Sequence, residues 1–274
     1  MTCGCPNNEI EFMLGLKCTH SREDSGVSRG RPIATGLTVA LSPFAFDAPF
    51  VRIICLFSNA LEDPGVISSE GGHWPGVPDY QLEFLETQLT KVKTDNYKGA
   101  VLLAVHHPPF SFAEKSRKPT IGGSHGSSGN MLHPIDTICA KVGVYPHALL
   151  SGHAHNYQRY SRTVHLNGKD YDVPFIVCGD GGHHVNAVVR ARKSAQAEEP
   201  HFGISVDYLD VNPAITAKGL LFEKYNDRDF GYLRISVDKD QLAIGYHVVG
   251  GVSIAQSRID KVTVQLDRHE MVSN

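Results

Sequence analysis

Apolar residues along this chain follow a helical spacing in two places. Leucines and a valine recur at three- and four-residue spacing over residues 82–92, which predicts an amphipathic helix from an N-cap at Asp79 to about Thr94. A second, shorter helix is predicted over residues 134–142, because a proline lies in its first turn and Gly143 follows its last. A short apolar run follows each predicted helix.

The two apolar runs after these helices, at residues 101–105 and 148–151, predict buried strands. Alternation of helix and strand is typical of a parallel α/β arrangement. Ligands of such sheets bind at the carboxyl ends of the strands, so the residues that follow these two strands are the first candidates for a functional site.

Further runs predict hairpins. The turn residues Asn167-Gly168 are a strong hairpin signal. The predicted hairpin strands are residues 37–45 with 51–57, 160–166 with 173–178, and 231–237 with 242–249. The patterns together predict an α/β (α+β) domain over residues 37–274, preceded by a weakly patterned N-terminal segment over residues 1–36.

Histidines follow both of the predicted parallel strands. His106-His107-Pro108-Pro109 comes after the first, and Gly152-His153-Ala154-His155 comes after the second. If the second segment stays extended, His153 and His155 share a face because side chains two residues apart do so. Neutral imidazole is the commonest metal ligand in proteins. The pattern therefore predicts a metal site at one edge of the sheet with His106, His153 and His155 as ligands.

Several segments, taken in order, resemble the calcineurin-like metallophosphoesterase superfamily and its purple-acid-phosphatase-like branch. They are residues 46–52 (FDAPFVR), 80–85 (YQLEFL), 105–110 (VHHPPF), 124–128 (SHGSS), 151–159 (SGHAHNYQR) and 230–232 (FGY). The resemblance implies a β-sandwich flanked by helices. It also implies hydrolysis of phosphoric monoesters or diesters by a metal-bound hydroxide, with Fe, Mn or Zn as divalent or trivalent ions, one or two per chain. The implied substrate is a small phosphate ester.

The resemblance also assigns roles to individual residues. His106 and His153 would bind one metal ion and His155 the other. The candidate catalytic residues are His107, His125 and Arg159.

Among these candidates, His125 would meet the substrate phosphate, and Lys115 and Arg117 in the same loop are alternatives to it. His107 and Arg159 would support or orient the metal ligands, and ordinary packing is the alternative for both.

The upstream ligand motifs of the superfamily, Asp-x-His, Gly-Asp and Gly-Asn-His, have no counterpart in residues 1–45. The expected domain is therefore incomplete on its N-terminal side. Without a bridging carboxylate, three histidines predict a weak or mononuclear site. Asp180, His183 and His184 are candidates to replace the missing ligands. The alternative hypothesis is a catalytically silent remnant that acts as a metal-binding or interaction module.

Net charge and composition bear on the remaining classes of function. A net charge of −3 gives no electrostatic reason to expect binding to nucleic acid or to an anionic membrane surface. Neither a signal peptide nor a run of 18 apolar residues is visible, so we expect a cytoplasmic protein, or a secreted or periplasmic one if the natural N-terminus is missing. A homo-oligomer is left open.

Cys55, Cys139 and Cys178 lie in apolar runs and are expected to be buried, whereas the Cys3-x-Cys5 pair is a weak chelating motif.

Overall fold

The computed structural model describes residues 10–14, 43–58, 80–109, 111, 131–182, 185, 204–205, 220–250 and 258–272. Its two helices are α1 (Tyr80–Thr94) and α2 (Leu132–Val142). Its strands are β1 (Ile10–Leu14), β2 (Phe44–Ala48), β3 (Val51–Leu56), β4 (Ala100–Val105), β5 (Ala148–Ser151), β6 (Tyr157–Leu166), β7 (Lys169–Cys178), β8 (Ile204–Ser205), β9 (Leu220–Asn226), β10 (Gly231–Val237), β11 (Gln241–Val248), β12 (Arg258–Gln265) and β13 (Glu270–Val272).

The larger sheet has eight strands in the order β2-β3-β4-β5-β7-β6-β9-β8. Its centre is parallel, since β3 pairs with β4, β4 with β5 and β5 with β7 in the same direction. Strand β4 is buried along its whole length, as expected for a strand covered on both faces. The four parallel strands end on the same side, which we call the carboxyl edge: the residues that follow Leu56, Val105, Ser151 and Cys178.

The smaller sheet has five antiparallel strands in the order β1-β10-β11-β12-β13. It packs face to face on the larger sheet, because apolar residues of both sheets belong to one buried cluster. Leu102 and Leu150 contribute from the larger sheet, and Ile235 and Ile244 from the smaller one, all at most 2% exposed. The two sheets therefore form a sandwich.

Both helices cover the other face of the larger sheet. Leu85 and Leu89 of α1 are fully buried there, and Ile135 and Cys139 of α2 lie in the same cluster. Helix α2 ends where predicted, because Gly143 adopts a left-handed conformation and its N–H donates to the Cys139 carbonyl at 2.7 Å. The predicted α+β class, a β-sandwich flanked by helices, is confirmed.

The predicted hairpins that fall on described residues are present. Asn167 and Gly168 both have positive φ, at 53° and 76°, as a two-residue turn between β6 and β7 requires. The predicted strand residues 37–42 lie outside the described ranges. Strand β1 lies in the weakly patterned segment and pairs with β10, while the domain boundary at residue 37 stays a prediction. Cys139 and Cys178 are buried and Cys55 is partly buried, all as free thiols. No helix within the described ranges is long and apolar enough to cross a membrane.

Candidate metal centre

Three neighbouring strands bring polar side chains to the carboxyl edge. Ser58 lies two residues after β3, His106 and His107 follow β4 directly, and the segment 152–156 follows β5. The Gly152 N–H donates to the His106 carbonyl at 3.1 Å, so the chain after β5 is held against the chain after β4. The parallel pairing of the strands therefore continues into the two histidine-bearing segments.

His106, His107 and His153 form the histidine cluster of this edge. The Nε2 atom of His106 lies 3.1 Å from the Nδ1 atom of His153. The ring centroid of His107 lies 4.8 Å from that of His106 and 4.3 Å from that of His153. One ligand atom from each of the three residues lies within 4.8 Å of the others, and all three side chains are partly exposed. The cluster is thus accessible from solvent.

This donor set fits a metal ion. Two nitrogens that each lie about 2.0–2.1 Å from a tetrahedral zinc ion are about 3.3 Å apart, close to the separation of His106 and His153. A ligand imidazole must be neutral, and burial lowers the pKa of His107 from its ordinary value, which keeps that ring neutral at neutral pH. Imidazole nitrogens suit Zn, Fe, Cu and Ni. The group contains no carboxylate.

The Gly-His-x-His segment is bent, so the condition under which His153 and His155 would share a face is not met. His153 has a φ of 57°, in the left-handed region, which a histidine adopts only when its surroundings require it. Two backbone hydrogen bonds stabilise the bend. The Ala154 N–H donates to the Gly152 carbonyl at 2.7 Å, and the Asn156 N–H donates to the Ala154 carbonyl at 2.8 Å. The alternation of a strand therefore does not apply to residues 153 and 155.

Because of this bend, the two histidines of the motif have different surroundings. His153 is partly exposed and contacts His106, whereas His155 is 1% exposed. His107 rather than His155 belongs to the group of described side chains whose ligand atoms lie close together. The assignment of a second ion to His155 stays a prediction.

Gly179, which follows β7, packs against the bend. A Cβ atom at this position would lie 2.1 Å from the Ala154 carbonyl oxygen, so only glycine allows the two backbones to approach so closely. The Gly179 N–H also donates to the Asn156 carbonyl at 3.2 Å. Strand β7 therefore fixes the position of the segment that carries His153.

A buried polar network lies beside the bend. The side-chain amide of Gln158 donates to Asn156 Oδ1 at 2.6 Å and to Ser111 Oγ at 3.1 Å. The Tyr160 hydroxyl donates to Gln158 Oε1. Asn156, Gln158 and Tyr160 are all completely buried. Because Ser111 follows β4 and Asn156 follows β5, Gln158 connects the two histidine-bearing segments a second time.

Arg159 has a different environment. Its guanidinium group donates to both carboxylate oxygens of Asp260, at 2.7 and 3.2 Å, and Asp260 also accepts the Tyr157 hydroxyl at 2.6 Å. Asp260 belongs to β12, so this group joins the two sheets. Arg159 is not part of the histidine cluster, and its role in catalysis stays a prediction.

Asp180 lies at the same edge, yet it is not a member of the histidine group. Its fully buried carboxylate accepts the Tyr246 hydroxyl at 2.5 Å and the Cys178 thiol at 3.4 Å. Burial raises the pKa of Asp180. The other candidates from the sequence, listed here together, lie outside the described residues: Lys115, Arg117, His125, His183 and His184.

Ser58 is the polar residue at this edge that the sequence reasoning missed. It is completely buried, accepts the His107 N–H at 2.9 Å and lies 3.3 Å from Nδ1 of the His107 ring. One signal was available: Ser58 directly follows a predicted strand, as His106 and His107 follow the next one.

Comparison with known proteins finds similarity among solved structures. No family profile matches this chain, and no curated protein matches it. A solved structure of PhoD is similar at 15% sequence identity with a TM-score of 0.45, over 84% of this chain and 43% of that chain. This chain therefore spans less than half of the length of the PhoD chain in that structure.

Proposed function

We propose that this protein is a metal-dependent hydrolase of phosphoric esters. The observation that carries the proposal is the convergence of His106, His107 and His153 at the ends of two adjacent parallel strands. Hydrogen bonds between backbone segments and a buried amide hold both histidine-bearing segments in place. Pre-organised ligands on rigid elements are what a catalytic metal site needs.

The cluster also favours a substrate that carries negative charge. Imidazoles bind a metal ion in their neutral form, and the group contains no carboxylate, so its members would leave the positive charge of a bound cation uncompensated within the group. Such a centre attracts anions, and a phosphate ester is an anion at neutral pH. A metal ion held there would supply Lewis-acid activation of water and of the phosphoryl group. His106, His107 and His153 would hold and orient that ion.

The choice of phosphoric esters over other anions rests on the sequence. The ordered segments that resemble the calcineurin-like metallophosphoesterases include both histidine-bearing segments of the cluster, at residues 105–110 and 151–159. The substrate expected from that resemblance is a phosphomonoester or a phosphodiester.

A second candidate function is a catalytically silent metal-binding module. The absence of a carboxylate from the histidine group favours it, because bridging carboxylates hold the two cations of a dinuclear site together. Three imidazoles alone are nevertheless sufficient for mononuclear catalysis in other proteins, which is why hydrolysis remains the first proposal.

The test is metal reconstitution of the full chain. The protein is stripped with a chelator, reconstituted separately with Mn²⁺, Zn²⁺ or Fe²⁺, and assayed with p-nitrophenyl phosphate and bis(p-nitrophenyl) phosphate. We expect at least one ion to bind stoichiometrically and to restore turnover of one of these esters, and His106→Ala to abolish both. The variant His165→Ala is the control, since that exposed imidazole pairs with Asp170 on the β6–β7 hairpin. Stoichiometric metal without turnover of either ester would favour the silent module.

A further inference from the structure

The Ser58 side chain contacts His107 at two atoms, one in its backbone and one in its ring. Its hydroxyl oxygen accepts the backbone N–H of His107 at 2.9 Å and lies 3.3 Å from the ring atom Nδ1. Ser58 is completely buried and lies two residues after β3, a strand that is followed by no histidine of the cluster. The side chain therefore fixes both the backbone position and the ring orientation of His107.

This contact places Nδ1 of the His107 ring, rather than Nε2, beside the Ser58 hydroxyl. A neutral imidazole has one N–H, and its second nitrogen is an acceptor. The Ser58 hydroxyl oxygen, which already accepts the backbone N–H of His107, can also accept an N–H from Nδ1, the ring nitrogen placed next to it. A proton on Nδ1 leaves the lone pair on Nε2 available.

We propose that Ser58 is a positioning residue that makes His107 the third metal ligand, through Nε2, beside His106 and His153. The inference rests on the proposed function for the presence of a metal ion and departs from the motif-based assignment, in which His155 is a ligand. Metal-bound imidazoles usually donate their other N–H to a neighbouring oxygen, which fixes the ring and raises its basicity. Ser58 supplies that oxygen to His107.

A metal ion held by these residues would have three neutral nitrogen ligands from the described part of the chain. Such a ligand set would add no negative charge to the cation, as in three-histidine catalytic zinc sites. Ser58 would thus influence metal affinity without touching the metal ion or the substrate.

The first experiment measures zinc affinity of the chelator-stripped full chain by calorimetry at pH 8. Substitutions Cys3→Ser and Cys5→Ser form the common background, so that the N-terminal thiols do not contribute. Loss of the Ser58 hydroxyl in Ser58→Ala is expected to weaken Zn²⁺ binding about 10- to 100-fold. The variant Ser58→Thr keeps a hydroxyl and should recover most of the affinity, which a residue needed only for packing would not show. His107→Ala should weaken binding at least as much as Ser58→Ala.

The second experiment reads the position of the proton directly. Long-range ¹H–¹⁵N correlation spectra of the metal-free chain at pH 8 distinguish a protonated Nδ1 from a protonated Nε2. The expected result is a protonated Nδ1 on His107 in the parent chain, and a mixture of both neutral forms in Ser58→Ala. A protonated Nε2 in the parent chain would overturn the inference, since the hydroxyl would then donate to Nδ1 and Nε2 could not bind a metal ion.

The two proposals fail in different ways. If the parent chain binds zinc and hydrolyses an ester while Ser58→Ala and His107→Ala bind zinc as the parent does, the ligand assignment is wrong and the hydrolase stands. If zinc binds through His107 and no ester is turned over, the hydrolase is wrong and the ligand assignment stands. If the parent chain binds no zinc, Mn²⁺ or Fe²⁺, both are wrong.

Discussion

Histidines lie at both ends of β4 and β5, and the two groups have opposite environments. At the carboxyl edge, His106, His107 and His153 are partly exposed and bring their ligand atoms together. At the opposite end, where both strands begin, His147 and His269 stack with their ring centroids 4.1 Å apart. The same residue type thus forms a candidate metal centre at one end of the strands and a packed pair at the other.

Backbone groups surround the pair at the amino end. His147 Nδ1 accepts the Val101 N–H at 3.0 Å, and its Nε2 faces the Leu266 carbonyl at 3.5 Å. His269 Nε2 donates to the Pro146 carbonyl at 3.2 Å. Burial lowers the pKa of His147 to about 4 and that of His269 to about 2, so both rings stay neutral. These imidazoles act as hydrogen-bonding core residues.

The comparison shows that the partner of each ring, rather than the presence of histidine, indicates its function. At the amino end, backbone groups of neighbouring segments occupy the ring nitrogens of His147. At the carboxyl edge, the rings of His106 and His153 approach each other through their nitrogens. Substitutions at the two ends should therefore change different properties of the protein.

The largest effect is expected from His153→Ala, which removes a member of the histidine cluster. We expect metal affinity to fall by more than about 100-fold, equivalent to at least about 2.7 kcal/mol, while the melting temperature of the metal-free protein changes little. Calorimetric titration of the stripped chain measures the first quantity and thermal unfolding the second. Metal affinity equal to that of the parent chain would remove His153 from the site and end the contrast between the two edges.

The next effect is expected from Gly179→Ala, because a methyl group would overlap the Ala154 carbonyl. Relief of that overlap should cost about 1–3 kcal/mol of unfolding free energy and displace the bend that carries His153, so metal affinity should fall as well. Denaturant unfolding and metal titration measure the two effects. Gly181→Ala is a matched control in the same turn, since its nearest neighbour would lie 3.8 Å from the new methyl group. A Gly179→Ala protein with parent-like metal affinity would show that β7 does not set the geometry of the site.

The pair at the amino end predicts a pH dependence of stability. The pKa values of His147 and His269 are lower in the folded protein than the ordinary 6.5, so the unfolded chain binds more protons below that pH. The neutral rings make their full contribution to the free energy of unfolding above pH 6.5. That contribution is lost as the pH falls towards 4, at up to about 1.4 kcal/mol per pH unit for each ring.

In the double variant His147→Asn, His269→Gln, the amide side chains keep one hydrogen-bond acceptor and one donor. They do not titrate between pH 7 and pH 4.5. Its unfolding free energy, measured from pH 7 to pH 4.5, should depend less on pH than that of the parent chain. A parallel dependence in both proteins would contradict the assignment of neutral buried rings. The exposed His165, replaced by Gln, serves as the control, and its variant should follow the parent curve.

The smallest effect is expected from Arg159→Lys, which keeps the charge but loses the two-pronged contact with Asp260. Unfolding free energy should fall by about 0.5–1.5 kcal/mol, with metal affinity and turnover unchanged. If turnover instead drops more than tenfold at parent-like stability, Arg159 supports the catalytic site, as the motif resemblance implies.

Much of the fold was predictable because its elements have regular periodicity. Helix α1 and strand β5 begin and end within a residue of their predicted limits, since their apolar spacing is regular. The predicted N-cap Asp79 lies outside the described residues. Strands β1, β8, β9, β12 and β13 were not predicted. The burial of β12 shows why that strand was missed: its first four positions are exposed or partly exposed, and only later positions are buried.

The candidate site was predictable only in part. Its place at the ends of β4 and β5 followed from the parallel arrangement, and His106 and His153 lie there together. The left-handed conformation of His153 could not be predicted, nor could its support by Gly179, which follows a strand further along the chain. Local spacing carries no information on such a long-range contact.

The left-handed backbone of His153 sets stability against the proposed metal-dependent activity at a single position. A side chain in that conformation is strained by about 1 kcal/mol or more relative to glycine, which adopts it freely. Glycine at position 153 would therefore relax the loop while deleting an imidazole, so a laboratory selection for thermal tolerance alone should drift towards it. A selection that also demands turnover should keep the histidine and accumulate its stabilising changes elsewhere.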